Sequence, residues 1–595
     1  MDAFLESNRY QEFLNRLNQP ELLVIERSTV SKEIEKPESY EHRRHKSCDC
    51  PKHKKNKKTC GCTRKLTKHS FKCGKKGFVI SKPGKYCLVD NIKYNPEKVG
   101  DLITIDANNV ILNLCGNSIS QVNNLDQVNG IRIISGRTNV TIEGGNGSIK
   151  GFSTFGIRAE AGFENVTISN VVVSECGVSN PTKYGFLHNA CGGLWLGDSP
   201  FGYINNNFNL VSKNLSLLNV ISTKNNLSGI SIMSCENVDV VNCTINDNVG
   251  LKDFSGDSIC IALNMINLPG LESRCKNVTI LNSSITNNKT LSQGESPTDL
   301  CFGGYLTISG FLIKDSSFDN NSGYFLSRGL YTAWTNDGKI LNSTFSSQTS
   351  HSEARGLQFG SGAFSSRVPT KDIILRSCQA DNNEANVLAQ DPILGTVTGY
   401  GFALNSTQGV RLFDCTANRN KCIFEEREEP PNARAIGYLV LGERFDNLNT
   451  SLNNCQGSEN ETIGSGGGAF GIQVASVRGI GVSGLRVNKG EYNDNISDEV
   501  GSGGFGIAVL AIDGASSGHV IKGVSVESNS LNGVEVIPGS DSLVFDSNYI
   551  IKNGGVGLNM SGDDSVIRNN ILIKNNGNIV DTGVGNILVD NQLIV

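Results

Sequence analysis

A short unit recurs along most of this 595-residue chain and constrains its fold more than any other feature. Its first half is a glycine followed by alternating apolar residues, as in Gly229-Ile230-Ser231. Its second half places an asparagine between two β-branched runs, as in Asn237-Val-Asp-Val-Val-Asn242-Cys-Thr-Ile. The units follow one another at roughly 24 to 45 residues, and a period of about 20 to 50 residues indicates a solenoid or an array.

The apolar runs are only four to six residues long, and no helical pattern separates them, which excludes the alternating α/β classes. We therefore predict an all-β fold, a right-handed parallel β-helix solenoid with an N-terminal helical or extended arm. Inward apolar residues would form its core, and polar residues would alternate outward. Asparagine suits the corners because it tolerates the left-handed backbone. Further glycine-led units begin at Gly156, Gly193, Gly329, Gly356, Gly437, Gly471, Gly506, Gly533 and Gly557.

The chain divides into four segments. Residues 1–25 have the apolar spacing of a short helix, which either packs on the protein's own body or is a docking peptide for a partner. Residues 26–76 form a basic arm that contains Cys and His. Residues 77–115 are expected to hold the N-terminal cap and first strands, and residues 116–595 the parallel β-helix. The insertions at 291–299, 383–398, 424–434 and 459–468 are expected on one or two faces of the rod.

Composition excludes several classes of protein. Only 19% of the residues are charged and the net charge is −4, which argues against a disordered chain. The 66 glycines and the shortage of helix-favouring runs argue against a helical bundle. No apolar stretch approaches the ~18–20 residues of a membrane span. The first residues lack a basic segment followed by an apolar one, so no signal peptide is expected.

The arm has its own charge character. Residues 41–76 contain 14 Lys or Arg and two acidic residues, whereas residues 77–595 contain 35 Lys or Arg and 48 Asp or Glu. The densest basic run, residues 52–68, fits a polyanion such as nucleic acid or an anionic glycan, bound through counterion release. An acidic capsid surface is another partner for this run, and a solvated linker is the alternative.

Cysteines occur in two settings. Cys48, Cys50, Cys60 and Cys62 lie in the arm, where four thiolates could hold a zinc ion, disulfides could staple the arm, or the thiols could stay reduced. No other cofactor is predicted. The body cysteines fall in or beside the strand motifs, and we expect them to be small buried core residues. They include Cys176, Cys235, Cys243, Cys378, Cys415 and Cys455.

Two segments carry a family resemblance. The run Val79-Ile-Ser-Lys-Pro-Gly-Lys-Tyr-Cys-Leu88 and residues 103–116 resemble the opening of pectate-lyase-like right-handed parallel β-helix proteins. The chain is most similar to the β-helix repeat proteins of amoeba-infecting giant DNA viruses, over about residues 77–595. The resemblance implies the fold, but the superfamily includes polysaccharide lyases, glycoside hydrolases, epimerases, phage tailspikes and non-catalytic surface proteins.

The catalytic pattern of polygalacturonase-like members is not matched. Asp563-Asp564 follows His519 rather than preceding it, so we interpret the aspartates as a turn and the histidine as a surface or core residue. A calcium-dependent lyase would need clustered carboxylates and a basic residue. Trp195, Tyr331 and Trp334 could stack on sugar rings. Candidate charged residues beside glycine-led strands are Asp198, Asp257, Asp337, Arg328, Glu353 and Arg355, and the alternative is a solvated face with ordinary ion pairs.

The leading functional hypothesis is a non-catalytic structural surface protein of a giant virus particle. Residues 1–76 would anchor it to other virion or capsid proteins, and the resemblance implies that it could form a homotrimer. Its expected location is the virion, or otherwise the cell surface or extracellular space by a route without a signal peptide. The alternatives are a polysaccharide lyase or glycoside hydrolase, and a glycan-binding adhesin. The last strands have no evident cap, so a partner or trimerisation would cover that end.

Overall fold

A computed structural model describes residues 62–594, apart from 178–190, 198–209, 252–257, 266–274, 292–298, 334, 361–368, 388–396, 425–432, 465–466, 499–502 and 513. Its strands pair in parallel and stack as successive coils of a parallel β-helix. The predicted all-β solenoid is therefore confirmed. The described residues contain no long apolar helix of the kind that crosses a membrane.

Among the described residues, three sheets run along the rod. Sheet 1 has 32 strands, and sheet 2 has 17. Sheet 3 is short and comprises Val249–Gly250, Lys289–Thr290, Thr349–Ser350, Glu384–Val387, Lys421–Phe424, Glu461–Ile463 and Ile496–Ser497, joined through a bridge at Ser322.

The strands of sheet 2 follow one another at one per coil. They are Phe78–Ile80, Gly100–Ile105, Val128–Ile133, Phe155–Glu160, Gly192–Gly197, Ser228–Met233, Ile259–Met265, Leu300–Leu306, Leu326–Ala333, Glu353–Gly360, Val397–Asn405, Ala433–Gly442, Gly468–Ser476, Gly504–Ala511, Val534–Val536, Val556–Met560 and Gly577–Asp581.

The strands of sheet 1 mostly come in two per coil. They are Arg64–Leu66, Gly84–Leu88, Ile92–Tyr94, Val110–Asn113, Ser118–Gln121, Thr138–Lys150, Glu164–Ser174, Ser212–Leu218, Ile221–Thr223, Cys235–Val241, Thr244–Asn246, Cys275–Leu281, Ser284–Thr286, Ile308–Lys314, Asn336–Leu341, Thr370–Arg376, Thr407–Gln408, Arg411–Phe413, Asn447–Leu448, Ser451–Gln456, Val482–Ser483, Arg486–Glu491, Ser516–Ser517, Val520–Lys522, Ser525–Glu527, Ser540–Asp541, Val544–Asp546, Tyr549–Ile551, Val566–Arg568, Ile571–Ile573, Ile587–Val589 and Gln592–Ile594.

The repeating sequence unit corresponds to one coil. A glycine-led run such as Ser228–Met233 forms the sheet 2 strand, and Cys235–Val241 then forms the first sheet 1 strand. Asn242 bends the chain with a φ of 52°, and Thr244–Asn246 forms the second sheet 1 strand. The asparagine between the apolar runs therefore occupies the left-handed corner that the sequence predicts, a conformation with little cost for this residue type.

The register between coils keeps apolar residues on the inside. Val238 pairs with Leu215 of the preceding coil and Val278 of the following coil, and all three are buried in one continuous core. A slip of one residue would turn every side chain of a strand to the opposite face, so this pattern fixes the pairing.

A ladder of buried amide side chains, here called the inner ladder, crosses twelve consecutive coils. Asn383 donates from Nδ2 to the Oδ1 of Asn420 at 2.8 Å, and Asn420 donates in the same way to Asn460 at 3.0 Å. The backbone N–H of each asparagine donates to the same oxygen, so buried polar groups at this corner are paired. Its members are Asn225, Asn248, Asn288, Asn321, Gln348, Asn383, Asn420, Asn460, Asn495, Asn529, Asn553 and Asn575.

A second ladder, the outer ladder, is exposed and begins the first sheet 1 strand of successive coils. Asn214 donates to the Oδ1 of Asn165 at 2.8 Å and accepts from Asn237 at 2.9 Å. Every member has a positive φ, between 54° and 59°. The members are Asn109, Asn139, Asn165, Asn214, Asn237 and Asn277.

The body cysteines lie in the core, as the sequence predicts. All six that fall in or beside the strand motifs are at most 1% exposed: Cys176, Cys235, Cys243, Cys378, Cys415 and Cys455. Burial raises the pKa of the Cys176 and Cys422 thiols to about 12, because a thiolate is poorly solvated there. These two thiols therefore act as small apolar side chains rather than as reactive groups.

The two described ends of the rod differ. At the first end, Arg64–Leu66 pairs with Gly84–Leu88, and a 3₁₀ segment, Lys68–Gly74, places Phe71 in the core. Both elements fall within residues 26–76, so the last part of the basic segment is built into the first coil. At the other end, Leu588 and Leu593 continue the inward rows of the core yet are 45% and 53% exposed.

The inner ladder leads to a stability prediction. Asn420→Ala leaves the Asn383 amide without its acceptor, so the free energy of local opening should fall by about 1–3 kcal/mol. Amide hydrogen exchange of the strands Glu384–Val387 and Lys421–Phe424 measures this free energy of local opening. Asn214→Gly in the outer ladder keeps the positive φ at an exposed corner and should change local stability by less than about 0.5 kcal/mol. Equal effects of the two substitutions would contradict a special role for the buried ladder.

Candidate functional site

In the sheet 2 strands, the residues on either side of the motif glycine place side chains on the same outer face of the sheet. A Cβ on Gly329 would lie 2.7 Å from the carbonyl oxygen of Gly356, so only glycine fits this close approach between coils. Leu330 points into the core, whereas Arg328 and Tyr331 meet outside it, with the guanidinium carbon 4.6 Å from the ring centre. The glycine-led motif therefore builds a row of outward side chains along sheet 2.

Three of the six predicted charged residues meet on this row, and we call them the Arg–Glu cluster. The Oε2 atom of Glu353 lies 2.8 Å from Nη2 of Arg355 and 3.8 Å from Nη2 of Arg328. Arg355 also donates from Nη1 to Oε1 of Gln358 at 2.8 Å. The three charged side chains are only 3–9% exposed, so the cluster is covered rather than open to solvent.

Aromatic rings surround the two guanidinium groups. Arg328 lies over Phe302 and Tyr331, at 5.5 and 4.6 Å from the ring centres, and Arg355 lies 4.9 Å from that of Tyr400. Cation–π contacts of this kind reach about 2 kcal/mol when water is excluded. The rings thus help to keep two buried cations in place.

The protonation states of the cluster are set by burial and by the arginines. Burial by itself raises the pKa of the Glu353 carboxyl, but nearby positive charge, that of Arg355 foremost, outweighs it and lowers that pKa below its ordinary value. Burial raises the pKa values of Tyr331 and Tyr400. Glu353 is therefore ionised and both phenols are protonated at neutral pH. A general acid or base works best with a pKa near the operating pH, and these three groups are shifted away from it.

The other predicted site residues are not brought to the cluster by the described structure. Asp337 is exposed at a left-handed corner with a φ of 55°, as the second residue of the sheet 1 strand Asn336–Leu341. Trp195 is on the outward row but buried, with its ring 5.7 Å from that of Phe155. Asp198, Asp257 and Trp334 lie outside the described residues.

A second charged group lies toward the N-terminal end of the same row. Arg132 makes ion pairs with Glu160 at 2.7 Å and with Asp101 at 3.3 Å, and Arg158 lies 3.4 Å from Glu160. The Arg132 side chain is 34% exposed and that of Arg158 is 19% exposed, so this group is more open than the Arg–Glu cluster. The sequence contains a signal for this charged group, because Gly130-Ile-Arg132 and Gly156-Ile-Arg158 repeat the same motif. Their arginines are in register in the structure.

The predicted insertions precede sheet 2 strands along the chain, and parts of them lie outside the described residues. Residues 291–299, 383–398, 424–434 and 459–468 each end where a sheet 2 strand begins. Chain length therefore varies beside the outward row, whereas the strands of sheet 1 keep their pairing. Insertions in a solenoid map to loops on one face, which is often the binding face.

Cys62 is the one predicted metal ligand among the described residues, and it forms a disulfide with Cys87, with the Cα atoms 5.9 Å apart. Cys48, Cys50 and Cys60 lie outside the described residues, so zinc binding by these three with Cys62 stays a prediction. This pairing has no signal in the sequence, because Cys87 is 25 residues away on another coil.

His519 and the aspartate pair behave as the sequence suggests. Asp563 and Asp564 form a turn, and Asp563 accepts a hydrogen bond from the N–H of Val584 at 2.7 Å. His519 is fully buried, where its Nδ1 accepts from the N–H of Leu485 and its Nε2 lies 2.8 Å from Oγ of Ser516. The histidine is thus a core residue.

Removing the negative charge of the Arg–Glu cluster should be costly. Glu353→Gln leaves two buried guanidinium groups without this carboxylate, and we expect local stability to fall by about 3–5 kcal/mol. Amide hydrogen exchange of the strands Leu326–Ala333 and Glu353–Gly360 measures this loss of local stability. Glu459→Gln breaks an exposed pair with Arg419 and should cost about 1 kcal/mol or less. A Glu353→Gln variant as stable as this control would show that the cluster is not an energetic unit.

His519 should make stability depend on pH. Burial lowers its pKa from 6.5 to about 4, so the unfolded chain takes up a proton at a higher pH than the folded chain does. Stability should therefore fall by about 3 kcal/mol as the pH drops from 6.5 to 4. Thermal midpoints of the wild type and His519→Gln between pH 7 and 4 test this, since other groups cancel in the comparison. Identical pH dependence in the two proteins would contradict it.

Comparisons with known proteins find similar architectures but no family. No family model and no curated protein matches the chain. Among solved structures, the periplasmic alginate epimerase AlgG is 10% identical with a TM-score of 0.32, and the match covers 77% of this chain and 78% of AlgG. The tailspike of E. coli bacteriophage HK620, in complex with a hexasaccharide, is 10% identical with a TM-score of 0.34, over 85% and 71%. PfbA, a surface adhesin of Streptococcus pneumoniae, is 11% identical with a TM-score of 0.24, over 86% and 85%.

Proposed function

We propose that this protein is a non-catalytic structural rod on the surface of a virus particle, anchored through its N-terminal arm. The observation that carries the non-catalytic part is the state of the Arg–Glu cluster. Its single carboxylate is held ionised between two guanidinium groups, and all three side chains are nearly inaccessible. A polysaccharide hydrolase needs two carboxylates beside the scissile bond, which these three residues do not supply.

The construction of the rod supports a scaffold role. The inner ladder and the continuous core link successive coils, so the body is held together by contacts repeated along its axis. The insertions beside sheet 2 would be the parts presented to partners. We extend the proposal to a giant-virus particle because of the resemblance of residues 77–595.

The basic arm supports the anchoring role. Its excess of Lys and Arg lies next to a mildly acidic body, which suits an acidic capsid surface or another polyanion at residues 52–68. We also propose that the protein forms a homotrimer and that it is located in the virion, or otherwise at the cell surface or outside the cell.

Deletion of residues 1–61 tests the anchor. This boundary keeps Cys62 and Arg64–Leu66, which belong to the first coils, so the rod itself is left intact. We expect the truncated protein to fold but to be lost from purified particles, as measured by quantitative mass spectrometry of the particle fraction against the full chain. A full-length variant with Lys52, Lys54, Lys55, Lys57 and Lys58 changed to Gln keeps the arm but removes five positive charges. It therefore distinguishes loss of the arm's charge from loss of the arm itself. Normal incorporation of the truncated protein would refute the anchor.

Glycan binding is the second candidate function, and one observation favours it. Arg132 and Arg158 stand partly exposed on the outward row, and guanidinium groups bind carboxylates in a two-point geometry. Retention of the purified chain on a polyuronate resin, but not on a neutral polysaccharide, would support an adhesin. Release of unsaturated or reducing sugars from a polysaccharide panel would instead support a lyase or hydrolase and contradict the non-catalytic proposal.

A further inference from the structure

Three cysteines from different coils meet at the N-terminal end of sheet 1. Cys62 precedes Arg64–Leu66, Cys87 lies in Gly84–Leu88, and Cys115 follows Val110–Asn113. Their three Sγ atoms all lie within 4.8 Å of one another, and no other group of three His, Cys, Asp or Glu is this close among the residues the structure describes. We call these residues the sulfur trio.

Strand pairing produces this arrangement. Lys65 is in register with Cys87, and Cys87 with Asn113, so the three strands are neighbours in sheet 1. Parallel strands lie about 4.8 Å apart, which sets the spacing of side chains that follow one another along the rod. At Cys115 the backbone has a φ of 52°, and its N–H donates to Oδ1 of Asn113 at 2.6 Å, which fixes the chain at the end of that strand.

The spacing suits a thiophilic metal ion. Zinc–sulfur bonds of about 2.3 Å in a tetrahedron place the sulfur atoms about 3.8 Å apart, so movements of about 1 Å would suffice. Cys62 and Cys115 are partly exposed, which leaves the group reachable from solution, whereas the cysteines of the core are fully buried.

We infer that the reduced sulfur trio is a metal site that binds one zinc ion through Cys62, Cys87 and Cys115. It shares Cys62 with the four-cysteine cluster expected within the arm but differs from that cluster, because its other two ligands, Cys87 and Cys115, belong to the rod. The ion would fasten the end of the arm to the first two coils. Three sulfurs supply three of the four tetrahedral positions, and the fourth is open to a further ligand.

The bound and disulfide forms exclude each other. A dithiol or a phosphine supplies two electrons to the Cys62–Cys87 disulfide, and two protons complete the two thiols. Binding of Zn²⁺ then releases three protons, because each ligand is a thiolate. The same residues therefore tie the arm to the rod by a disulfide under oxidising conditions and by zinc under reducing conditions.

Cobalt substitution in the full chain tests the site. The background carries Cys48→Ser, Cys50→Ser and Cys60→Ser, so that thiols of the preceding arm cannot bind the metal. After reduction with a phosphine and removal of oxygen, titration with Co²⁺ should give one thiolate-to-cobalt charge-transfer band that saturates at one ion per chain and is displaced by Zn²⁺. The oxidised protein should give no such band.

Variants identify the ligands. Cys115→Ser in this background should weaken cobalt binding at least about tenfold, since loss of even an indirect ligand contact costs 10- to 100-fold. Cys73→Ser is the matched control, because Cys73 lies in the same part of the chain but outside the trio, and it should leave binding unchanged. Cys115→His should restore much of the affinity with a nitrogen ligand. Absence of the band in the reduced background, or a band unaffected by Cys115→Ser, would overturn the inference.

Discussion

The parallel pairing of each strand with its equivalent in the next coil is the constraint on which the rest of this structure depends. It satisfies the backbone groups of the strands and places like residues above one another, so core, corners and outer face become rows along the rod. The inner ladder shows what this allows. A buried amide side chain is costly by itself, but eleven asparagines and one glutamine in register are hydrogen-bonded from coil to coil and leave the corner paired.

The rows of equivalent residues also determine where charged side chains from different coils meet. A row of outward side chains on sheet 2 collects charged and aromatic residues from several coils. Two charged groups result, and they differ in access. The Arg–Glu cluster is covered, whereas the Arg132 side chain beside Glu160 and Asp101 is 34% exposed and remains partly open. Burial, rather than residue type, therefore separates a structural ion cluster from a surface that a ligand can reach.

The N-terminal end of the rod is built in part from the basic segment that precedes it. The basic segment is not a separate appendage, because its last residues form the first strand of sheet 1 and supply one half of a disulfide. A solenoid exposes unpaired strand edges at its ends and needs such protection. Here the 3₁₀ segment places Phe71 in the core, and the Cys62–Cys87 disulfide joins the end of the arm to the first coils.

The sequence by itself determined the architecture. Period, strand length and corner asparagines sufficed for the parallel β-helix, and the buried body cysteines followed from their place in the motifs. Only the tertiary structure decided which distant residues meet. It joined Arg328, Glu353 and Arg355 but left Asp337 on an exposed corner, and it paired Cys62 with Cys87. The physical reason is that neighbours across coils depend on coil length. Insertions make that length unequal, so the register is known only once the coils are stacked.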